Sequence, residues 1–339
     1  MPEQINSQQF LKASKNACVI DVRTPKEFEQ GHIPGAKNIP LFQNEERIIV
    51  GTLYKQEGRQ PAILKGLELV GPKMATLVND VLRQSDGKDI YIHCWRGGMR
   101  SGSMAWLLEL YGLRVIVLKG GYKAFRNQVL SNLESKSSIV VLGGRTGSGK
   151  THILSRLKVK GEQVIDLEKI ANHKGSAFGS LGEEKQPSQE QFENELMVQL
   201  NEQSAEKKIW IEDESRLIGN KNIPLALWEQ MRQAPVVYID MPFEKRIDIL
   251  VEDYGKFEKE QLKESILRIS KKMGLEQTKN AIIELEQNNL RAVCGLCLSY
   301  YDKAYDRGLE SRENIKIERI EFISDDFEQC ASELIKKYK

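Results

Sequence analysis

Apolar runs of strand length recur along the chain, and segments whose apolar residues have helical spacing lie between them. The runs predicted to form strands are, in chain order, Ala17–Val22, Ile90–Ile92, Val115–Leu118, Ile139–Leu142, Gln163–Leu167, Lys208–Ile211, Val236–Asp240 and Lys316–Ile323. Amphipathic spacing predicts helices over Ser101–Tyr111 and Glu260–Met273. Because strands alternate with helices, we expect an α/β protein whose strands run mainly parallel.

A polar stretch, Ser131–Ser138, separates two segments that each begin with an apolar strand. The length of 339 residues also suits two domains. We therefore predict an N-terminal domain over residues 1–135 and a C-terminal domain over residues 136–339. The second is predicted to be a doubly wound parallel sheet with added helices.

The composition is that of a globular protein, with 40% apolar and 29% charged residues. No apolar run is long enough for a membrane helix, and Met1–Lys12 lacks the pattern of a secretory signal peptide. We therefore expect a cytoplasmic protein without a membrane partner. The formal net charge of +2 excludes a uniformly basic nucleic-acid binder but leaves room for a local basic groove.

Five cysteines are too few and too scattered for a disulfide framework in a chain of this length. Two of them, Cys294 and Cys297, have a spacing that invites a zinc or redox interpretation. Since no second Cys or His pair with matching spacing lies nearby, we interpret this pair as structural.

A glycine-rich motif follows the predicted strand Ile139–Leu142 and precedes a helical segment. It fits G-x-x-x-x-G-K-[ST] and consists of Gly144, Arg145, Thr146, Gly147, Ser148, Gly149, Lys150 and Thr151. The glycines let backbone N–H groups wrap an anion, and the following helix adds partial positive charge. Lys150 would contact terminal phosphates, and Thr151 would offer a hydroxyl to Mg²⁺. The motif predicts a phosphate site for a nucleoside triphosphate or for another diphosphate.

Acidic residues that follow predicted strands could hold such a Mg²⁺ ion, although acids at strand ends also serve solubility alone. These candidates are Asp166, Glu212, Asp213 and Glu214. His173, Lys174 and Ser176 belong to a stretch that could contact a phosphate or an RNA base, or could simply be exposed. We assign no definite set of metal ligands, and we expect no bound organic cofactor.

A cysteine loop joins the second predicted strand to the helix that follows it. It consists of Cys94, Trp95, Arg96, Gly97, Gly98, Met99, Arg100 and Ser101. Backbone N–H groups of a loop that leads into a helix point to its centre, so they would stabilise a thiolate at Cys94. Arg96 and Arg100 add positive charge, and the same cradle would bind an oxyanion. We therefore interpret Cys94 as a reactive thiol, and Trp95 could stack on a flipped base.

Two kinds of chemistry fit this loop. Cys-x5-Arg followed by Ser is the pattern of cysteine phosphatases, but the sequence does not reveal the general acid that such an enzyme needs. The alternative is sulfur or selenium transfer, in which Cys94 carries the atom as a persulfide or selenosulfide.

The first segment resembles a rhodanese domain. The stretches that carry this resemblance are Val19–Arg23, Glu27-Phe28, Gly31–Pro40 and the cysteine loop. A rhodanese-like domain joined to a P-loop NTPase-like domain is similar to one family, the bacterial tRNA 2-selenouridine synthases. Further stretches that match this family are Asn44–Arg47, Val50–Tyr54, Cys94–Ser101, Leu142–Gly144, Thr146-Gly147, Gly149–Thr151, His173–Gly179, Glu212–Ser215 and Ile218-Gly219. The match spans roughly residues 17–220.

The resemblance implies a selenotransferase that replaces the sulfur of wobble 2-thiouridine in tRNA by selenium, with selenophosphate as the donor. It also implies a first step in which geranyl diphosphate alkylates the sulfur, because a geranylthiol leaves more readily than a thiocarbonyl sulfur. Cys94 would then be the essential thiol of selenium transfer, and Arg96 and Arg100 would bind selenophosphate oxygens. Gly144–Thr151 would hold the diphosphate of the prenyl donor or part of the RNA backbone. The implied partners are tRNA and an enzyme that produces selenophosphate.

Overall fold

Two compact units make up the computed structural model of the chain, which describes residues 2–310, 312 and 315–338. The first unit runs to Asn132 and also includes Glu193–Val198. The second comprises Leu133–Phe192 and continues from Gln199. Along the described residues, no helix combines the length and the apolar character that crossing a membrane requires.

A five-stranded parallel sheet forms the centre of the first unit. Its strands are β1 (Glu3–Ile5), β2 (Cys18–Asp21), β3 (Lys37–Asn38), β4 (Ile90–His93) and β5 (Val115–Leu118). The helices of this part of the chain are α1 (Ser7–Ala13), α2 (Pro25–Gln30), α3 (Asn44–Gln56), α4 (Arg59–Val70), α5 (Met74–Ser85), α6 (Met99–Leu110) and α7 (Gly121–Asn132), with a short 3-10 helix at Gly71–Lys73. The strand order is β1-β5-β4-β2-β3, so β4 is the central strand. Every residue of β2, β4 and β5 is buried.

A second five-stranded parallel sheet forms the centre of the other unit. The strands from β6 onward are β6 (Ile139–Gly143), β7 (Gln163–Ile165), β8 (Ile209–Glu212), β9 (Leu217–Ile218), β10 (Lys221–Asn222), β11 (Val236–Asp240) and β12 (Ile317–Glu321). The helices from α8 onward are α8 (Lys150–Val159), α9 (Leu167–Ala171), α10 (Gln189–Asn201), α11 (Leu225–Gln233), α12 (Phe243–Tyr254), α13 (Lys259–Met273), α14 (Leu275–Glu286), α15 (Leu290–Glu310) and α16 (Phe327–Lys337). The middle of α10, Glu193–Val198, belongs to the first unit. The sheet order is β12-β11-β6-β8-β7, while β9 and β10 form a separate antiparallel pair.

The predicted α/β class is confirmed, since both five-stranded sheets are parallel throughout. Val115–Leu118 and Val236–Asp240 are strands with the predicted bounds, and the other predicted strands differ only at their ends. The two predicted helices are α6 and α13, each shifted slightly at its ends. Strand β1 and helices α3, α4 and α5 were not predicted.

Candidate active site

The cysteine loop begins directly after β4, ends where α6 begins, and is tied by its backbone to the start of α7. Tyr122 N–H donates to the Cys94 carbonyl at 2.8 Å. Lys123 N–H donates to the Trp95 carbonyl at 3.0 Å. The Cys94 side chain is 3% exposed, and its Sγ lies 3.2 Å from the Ser101 hydroxyl. The thiol therefore lies at the carboxyl edge of the central strand, in a loop that is fixed at its base.

A buried ion pair supports the loop from below. The Arg23 guanidinium donates to the Asp21 carboxylate and to the Gly31 carbonyl, both at 2.6 Å. Its centre lies 3.8 Å from the centroid of the Tyr122 ring. Burial lowers the pKa of the neighbouring His93 to about 4, so this imidazole is neutral at neutral pH. The Asp21-Val22-Arg23 signature of the sequence is thus part of the buried frame of the loop.

Arg100, one of the two arginines predicted to bind oxyanions, is engaged by a carboxylate. It donates two hydrogen bonds to Glu27, at 2.7 and 3.1 Å. Burial opposes ionisation of Glu27, but the hydrogen bonds and charge of Arg100 outweigh it and hold the pKa of Glu27 below its usual range. Glu27 was missed as a site residue, although the capping pattern Thr24-x-x-Glu27 could have placed it at the start of a helix. Arg96 lies exposed on the loop.

The remaining residues of the loop divide into exposed and packed positions. Trp95, Gly98 and Met99 are exposed, whereas Gly97 is half-buried. Gly97 has a φ of +65°, and a Cβ atom there would lie 2.7 Å from the Leu118 carbonyl oxygen. The exposed members are therefore the ones available to a ligand.

Gly121, the first residue of α7, lies directly against the backbone of the cysteine loop. Its φ is +62°, and a Cβ atom there would lie 2.4 Å from the Cys94 carbonyl oxygen and 2.4 Å from the Gly97 nitrogen. The sequence alone does not reveal this close approach. The structure adds that a side chain at Gly121 would not fit against the cysteine loop.

We expect Gly121→Ala to displace the cysteine loop and to destabilise the first unit. Gly87→Ala is a matched control, because Gly87 has a φ of +73° but no atom within 4 Å of its Cβ position. Both variants carry the strain of a left-handed alanine, roughly 1–2 kcal/mol, and only Gly121→Ala adds the clash. Thermal unfolding and the rate of Cys94 alkylation by iodoacetamide measure the difference. Equal effects of the two variants would show that the loop tolerates a side chain there.

The P-loop motif connects β6 to α8 at the point where the strand order reverses, since β8 lies on one side of β6 and β11 on the other. This is where doubly wound sheets bind ligands. Gly144, Gly147 and Gly149 have φ values of 149°, 77° and 73°. Lys150 Nζ donates to the Gly144 carbonyl oxygen at 2.7 Å. The Ser148 hydroxyl is buried and has no hydrogen-bond partner among the described residues. The loop thus offers the backbone shape and the donors that a phosphate needs.

Helix α15 anchors the first part of this loop. The Tyr305 hydroxyl accepts a hydrogen bond from Gly144 N–H at 2.8 Å and donates one to Asp213 at 2.9 Å. Burial raises the pKa of Tyr305 well above its usual value, so the hydroxyl keeps its proton. The next residue of α15, Asp306, also contacts the loop, because its carboxylate accepts hydrogen bonds from the Arg145 side chain at 3.0 and 2.9 Å.

The side chain of a second arginine, Arg246 of α12, connects α15 to the backbone of the P-loop. Arg246 donates to Asp302 at 2.8 and 2.7 Å and to the Thr146 carbonyl at 3.1 Å. Both residues that were predicted to bind phosphate therefore have partners within the protein. The Arg145 side chain is bonded to α15, and the Thr146 carbonyl is bonded to α12. Sequence reasoning missed these partners, which have no local motif.

We expect Tyr305→Phe to destabilise the second unit by about 1–3 kcal/mol, because it leaves the Gly144 N–H and one Asp213 oxygen without their partner. The affinity of the loop for the phosphate ligand that its motif predicts should fall as well. Tyr300→Phe is the control, since it removes a hydroxyl from the same helix without touching the P-loop. Thermal unfolding and ligand titration test the pair. If the two variants behave alike, Tyr305 does not support the loop.

Two of the predicted acids, buried Glu212 and half-buried Glu214, cluster with half-buried Glu168 next to the P-loop. Glu212 accepts a hydrogen bond from Glu168 N–H at 2.8 Å, and Glu168 accepts one from the Thr151 hydroxyl at 3.3 Å. Burial, and next the charges of neighbouring acids, raise the pKa of Glu212 and of Glu214 well above the usual range. Among the described residues, no group of three or more His, Cys, Asp or Glu is arranged to hold a metal ion.

The other two predicted acids have structural partners. Asp213 accepts from Tyr305 and also pairs with Arg312. Asp166 caps α9 by accepting a hydrogen bond from Lys169 N–H at 2.8 Å. Both side chains are therefore engaged in holding local structure.

The stretch His173–Gly179 reaches the acidic cluster through its backbone. Gly175 has a φ of +66°, and a Cβ atom there would lie 2.7 Å from the Glu214 carboxylate and 2.9 Å from that of Glu168. The predicted residues on either side are bonded locally. Lys174 Nζ lies 3.6 Å from the Glu183 carboxylate, and the Ser176 hydroxyl accepts from a backbone N–H two residues further on. Burial lowers the pKa of His173.

Cys294 and Cys297 pack in buried apolar clusters, which is the position that the structural interpretation predicts. Both lie on α15, are buried, and form no disulfide. Burial raises the pKa of Cys294 to about 11 and that of Cys297 to about 12, so both remain protonated thiols.

The fold and the two loops together define a class of protein. A cysteine loop at the end of the central strand of a parallel sheet is typical of a rhodanese-like domain. A glycine-rich phosphate loop at the point where the strand order of a second parallel sheet reverses is typical of a P-loop domain. Correspondingly, the family model of the rhodanese-like domain matches residues 6–128, and that of the tRNA 2-selenouridine synthase AAA domain matches residues 137–337. The chain belongs to the tRNA 2-selenouridine synthase family.

Relatives named tRNA 2-selenouridine synthase match most of the chain. One from Pseudomonas syringae is 36% identical, and the match covers 91% of each protein. One from Bdellovibrio bacteriovorus is 42% identical over 253 residues, which cover 71% of this chain and 65% of the relative. The family match extends to residue 337, beyond the span of roughly 17–220 that carries the motifs of the resemblance.

Proposed function

We propose that the protein replaces the sulfur of wobble 2-thiouridine in tRNA by selenium. One observation carries this proposal: an intact cysteine loop and an intact P-loop occur in a single chain, and relatives that bear the name of this activity match it over 91% of its length. The fold alone would not suffice, because rhodanese-like and P-loop domains serve many reactions.

The proposed reaction has two steps and uses geranyl diphosphate and selenophosphate as co-substrates. In the first step the thiocarbonyl sulfur attacks the geranyl carbon, diphosphate leaves with the electrons of the carbon–oxygen bond, and the base loses its N3 proton. In the second step selenium adds to C2, and geranylthiolate leaves with the electrons of the carbon–sulfur bond and takes up a proton. Water then cleaves the selenium–phosphorus bond and releases phosphate. No oxidant or reductant is needed.

Cys94 is proposed as the essential thiol of the second step, where it supplies the proton that the geranylthiolate takes up and regains one from solvent. Arg96 and Arg100 would bind selenophosphate oxygens, and Arg100 would then share its charge between this anion and Glu27. Exposed Trp95 and Met99 would contact the base.

The P-loop is proposed to hold the diphosphate of the prenyl donor. Lys150 would exchange its hydrogen bond to the Gly144 carbonyl for one to a phosphate oxygen. Mg²⁺ fits the chemistry of the neighbouring side chains, because the Thr151 hydroxyl and the Glu168 carboxylate are hard oxygen ligands 3.3 Å apart. When bound, the ion would neutralise charge on the diphosphate. The division into domains at residues 135 and 136, the cytoplasmic location and the selenophosphate-producing partner remain predictions.

The phosphatase alternative explains Cys94 and Arg100 equally well, because both lie in the Cys-x5-Arg loop. It gives no role to the P-loop of Gly144–Thr151 in the same chain, and the relatives described above are not named as phosphatases.

Mass spectrometry of wobble nucleosides tests the proposal. The purified protein is incubated with 2-thiouridine tRNA and geranyl diphosphate, with and without selenophosphate. We expect S-geranyl-2-thiouridine without the selenium donor and 2-selenouridine with it. Unchanged nucleosides together with hydrolysis of a generic phosphate ester would reject the proposal in favour of the phosphatase.

A further inference from the structure

A wide cleft opens beside Cys94 in the first unit, and the roles described above use only the side of it that the cysteine loop forms. Its volume is about 1170 Å³, and its walls come from α3, α4, α6 and the cysteine loop. Cys94 itself belongs to the lining. A ligand in this cleft would therefore lie against the reactive thiol.

Several large apolar side chains in the walls of the cleft are exposed to solvent. Ile48 of α3 is 66% exposed, Leu67 of α4 is 63% exposed and Trp106 of α6 is 55% exposed, and all three line the cleft. In α3, all of whose residues are described, none is fully buried. Single exposed apolar residues are ordinary, but a contiguous set around one cavity marks a binding site. The cleft thus offers a hydrocarbon surface.

The charged residues of the cleft all have one sign. Arg47, Lys55, Arg96 and Arg100 line it, and none of the described lining residues is acidic. A ligand that combines a hydrocarbon group with negative charge can therefore contact both the apolar side chains and the cations of the cleft. An RNA that bears a hydrocarbon group is such a ligand, because each nucleotide brings a phosphate.

We infer that this cleft binds the S-alkyl chain of the geranylated base while the base remains part of the RNA. The chain lies along the apolar residues of α3, α4 and α6, the carbon–sulfur bond lies at Cys94, and the RNA phosphates meet the arginines. The inference rests on the proposed function and extends it, because it gives the alkyl group of the intermediate a site in the rhodanese-like unit.

The apolar cavity of the second unit does not compete for this chain. Thr146 of the P-loop, Leu250 and Tyr301 are among its lining residues, but its volume is about 40 Å³. That is room for only a few water molecules. A geranyl-sized chain therefore does not fit this cavity, whereas the cleft at Cys94 is wide enough for it.

Binding of short RNA hairpins to the full-length protein tests the inference. Each hairpin carries one 2-thiouridine that is unmodified, S-methylated, S-butylated or S-geranylated, and fluorescence anisotropy gives the dissociation constant. Burial of a CH₂ group strengthens binding by up to about fourfold. We therefore expect affinity to rise along the series, with at least tenfold between the methyl and geranyl hairpins. Equal affinity for these two hairpins would overturn the inference.

Two leucines of α4 provide a matched pair of variants. Leu67 lines the cleft and is 63% exposed, whereas Leu64 is 62% exposed and lies outside the lining. We expect Leu67→Ser to lose most of the preference for the geranylated hairpin, and Leu64→Ser to retain it. Ile48→Ser, on the facing helix, should repeat the loss. Since all three side chains are exposed, their thermal unfolding should match that of the unmodified protein.

Failure of the inference differs from failure of the proposed function. If Leu67→Ser and Leu64→Ser bind the geranylated hairpin equally well while the protein still produces 2-selenouridine, the cleft assignment is wrong and the function stands. If the chain-length preference is present and lost in Leu67→Ser, the cleft assignment holds even where no selenium is transferred. Loss of geranyl diphosphate binding alone in Leu67→Ser would assign the cleft to the donor and overturn the inference.

Discussion

Cys94→Ala is expected to reduce selenium incorporation by about two to three orders of magnitude, as removal of a group at the reacting atoms commonly does. The S-geranylation step should remain largely intact, because the P-loop that we assign to the prenyl donor belongs to the other compact unit. Nucleoside mass spectrometry separates the two products. The variant should therefore accumulate S-geranyl-2-thiouridine in the presence of both donors.

Cys18→Ala is the control for this experiment. Cys18 is a buried thiol in β2 of the same sheet, and burial raises its pKa, so it is not a reactive group. Its loss should affect stability alone. If Cys94→Ala lost both products to the same extent, the separation of the two steps between the cysteine loop and the P-loop would be wrong.

Lys150→Ala is expected to impair the use of geranyl diphosphate first. A hydrogen bond from a charged group contributes about 1.5–3 kcal/mol, which corresponds to roughly a ten- to hundredfold rise in the concentration of donor needed. Selenium transfer to tRNA that has already been geranylated should continue. Initial rates of S-geranyl formation at increasing donor concentration measure the first effect, and conversion of geranylated tRNA measures the second.

Lys158→Ala is the matched control, because Lys158 is an exposed lysine of the same helix, α8. It changes the net charge by the same amount without removing a P-loop donor. Normal prenyl transfer by Lys150→Ala would show that the loop serves another ligand, such as the RNA backbone.

The sheets could be predicted from the sequence because their central strands are continuous apolar runs. Val115–Leu118 and Val236–Asp240 are buried almost throughout, so the apolar runs of the sequence coincide with the buried strands of the sheets. Strand β1 escaped because it has only three residues, two of them exposed. Helices α3 and α4 were not predicted for another reason. Some of their apolar residues face a cleft and others face the core, so these helices lack the single narrow apolar stripe of an amphipathic helix.

The positions of the two candidate loops could also be predicted, whereas the contacts that support them could not. Cys94 and Lys150 belong to short motifs in which spacing and chemistry are read together. Glu27 is 73 residues from its partner Arg100, and no local pattern connects the two. The same holds for the pairing of Asp302 with Arg246, which are 56 residues apart. Such contacts depend on the tertiary fold, so only a structure reveals them.

The anchoring of the P-loop by α15 also has a consequence for the newly made chain. Gly144 and Tyr305 are separated by 161 positions. At a synthesis rate of about 5–20 residues per second, the ribosome needs roughly 8–30 seconds to add the second after the first. Until then the nascent chain carries the complete phosphate motif without the helix that sets its geometry. A fragment that stops before α15 would therefore keep the signature of a nucleotide-type site and lack its working shape.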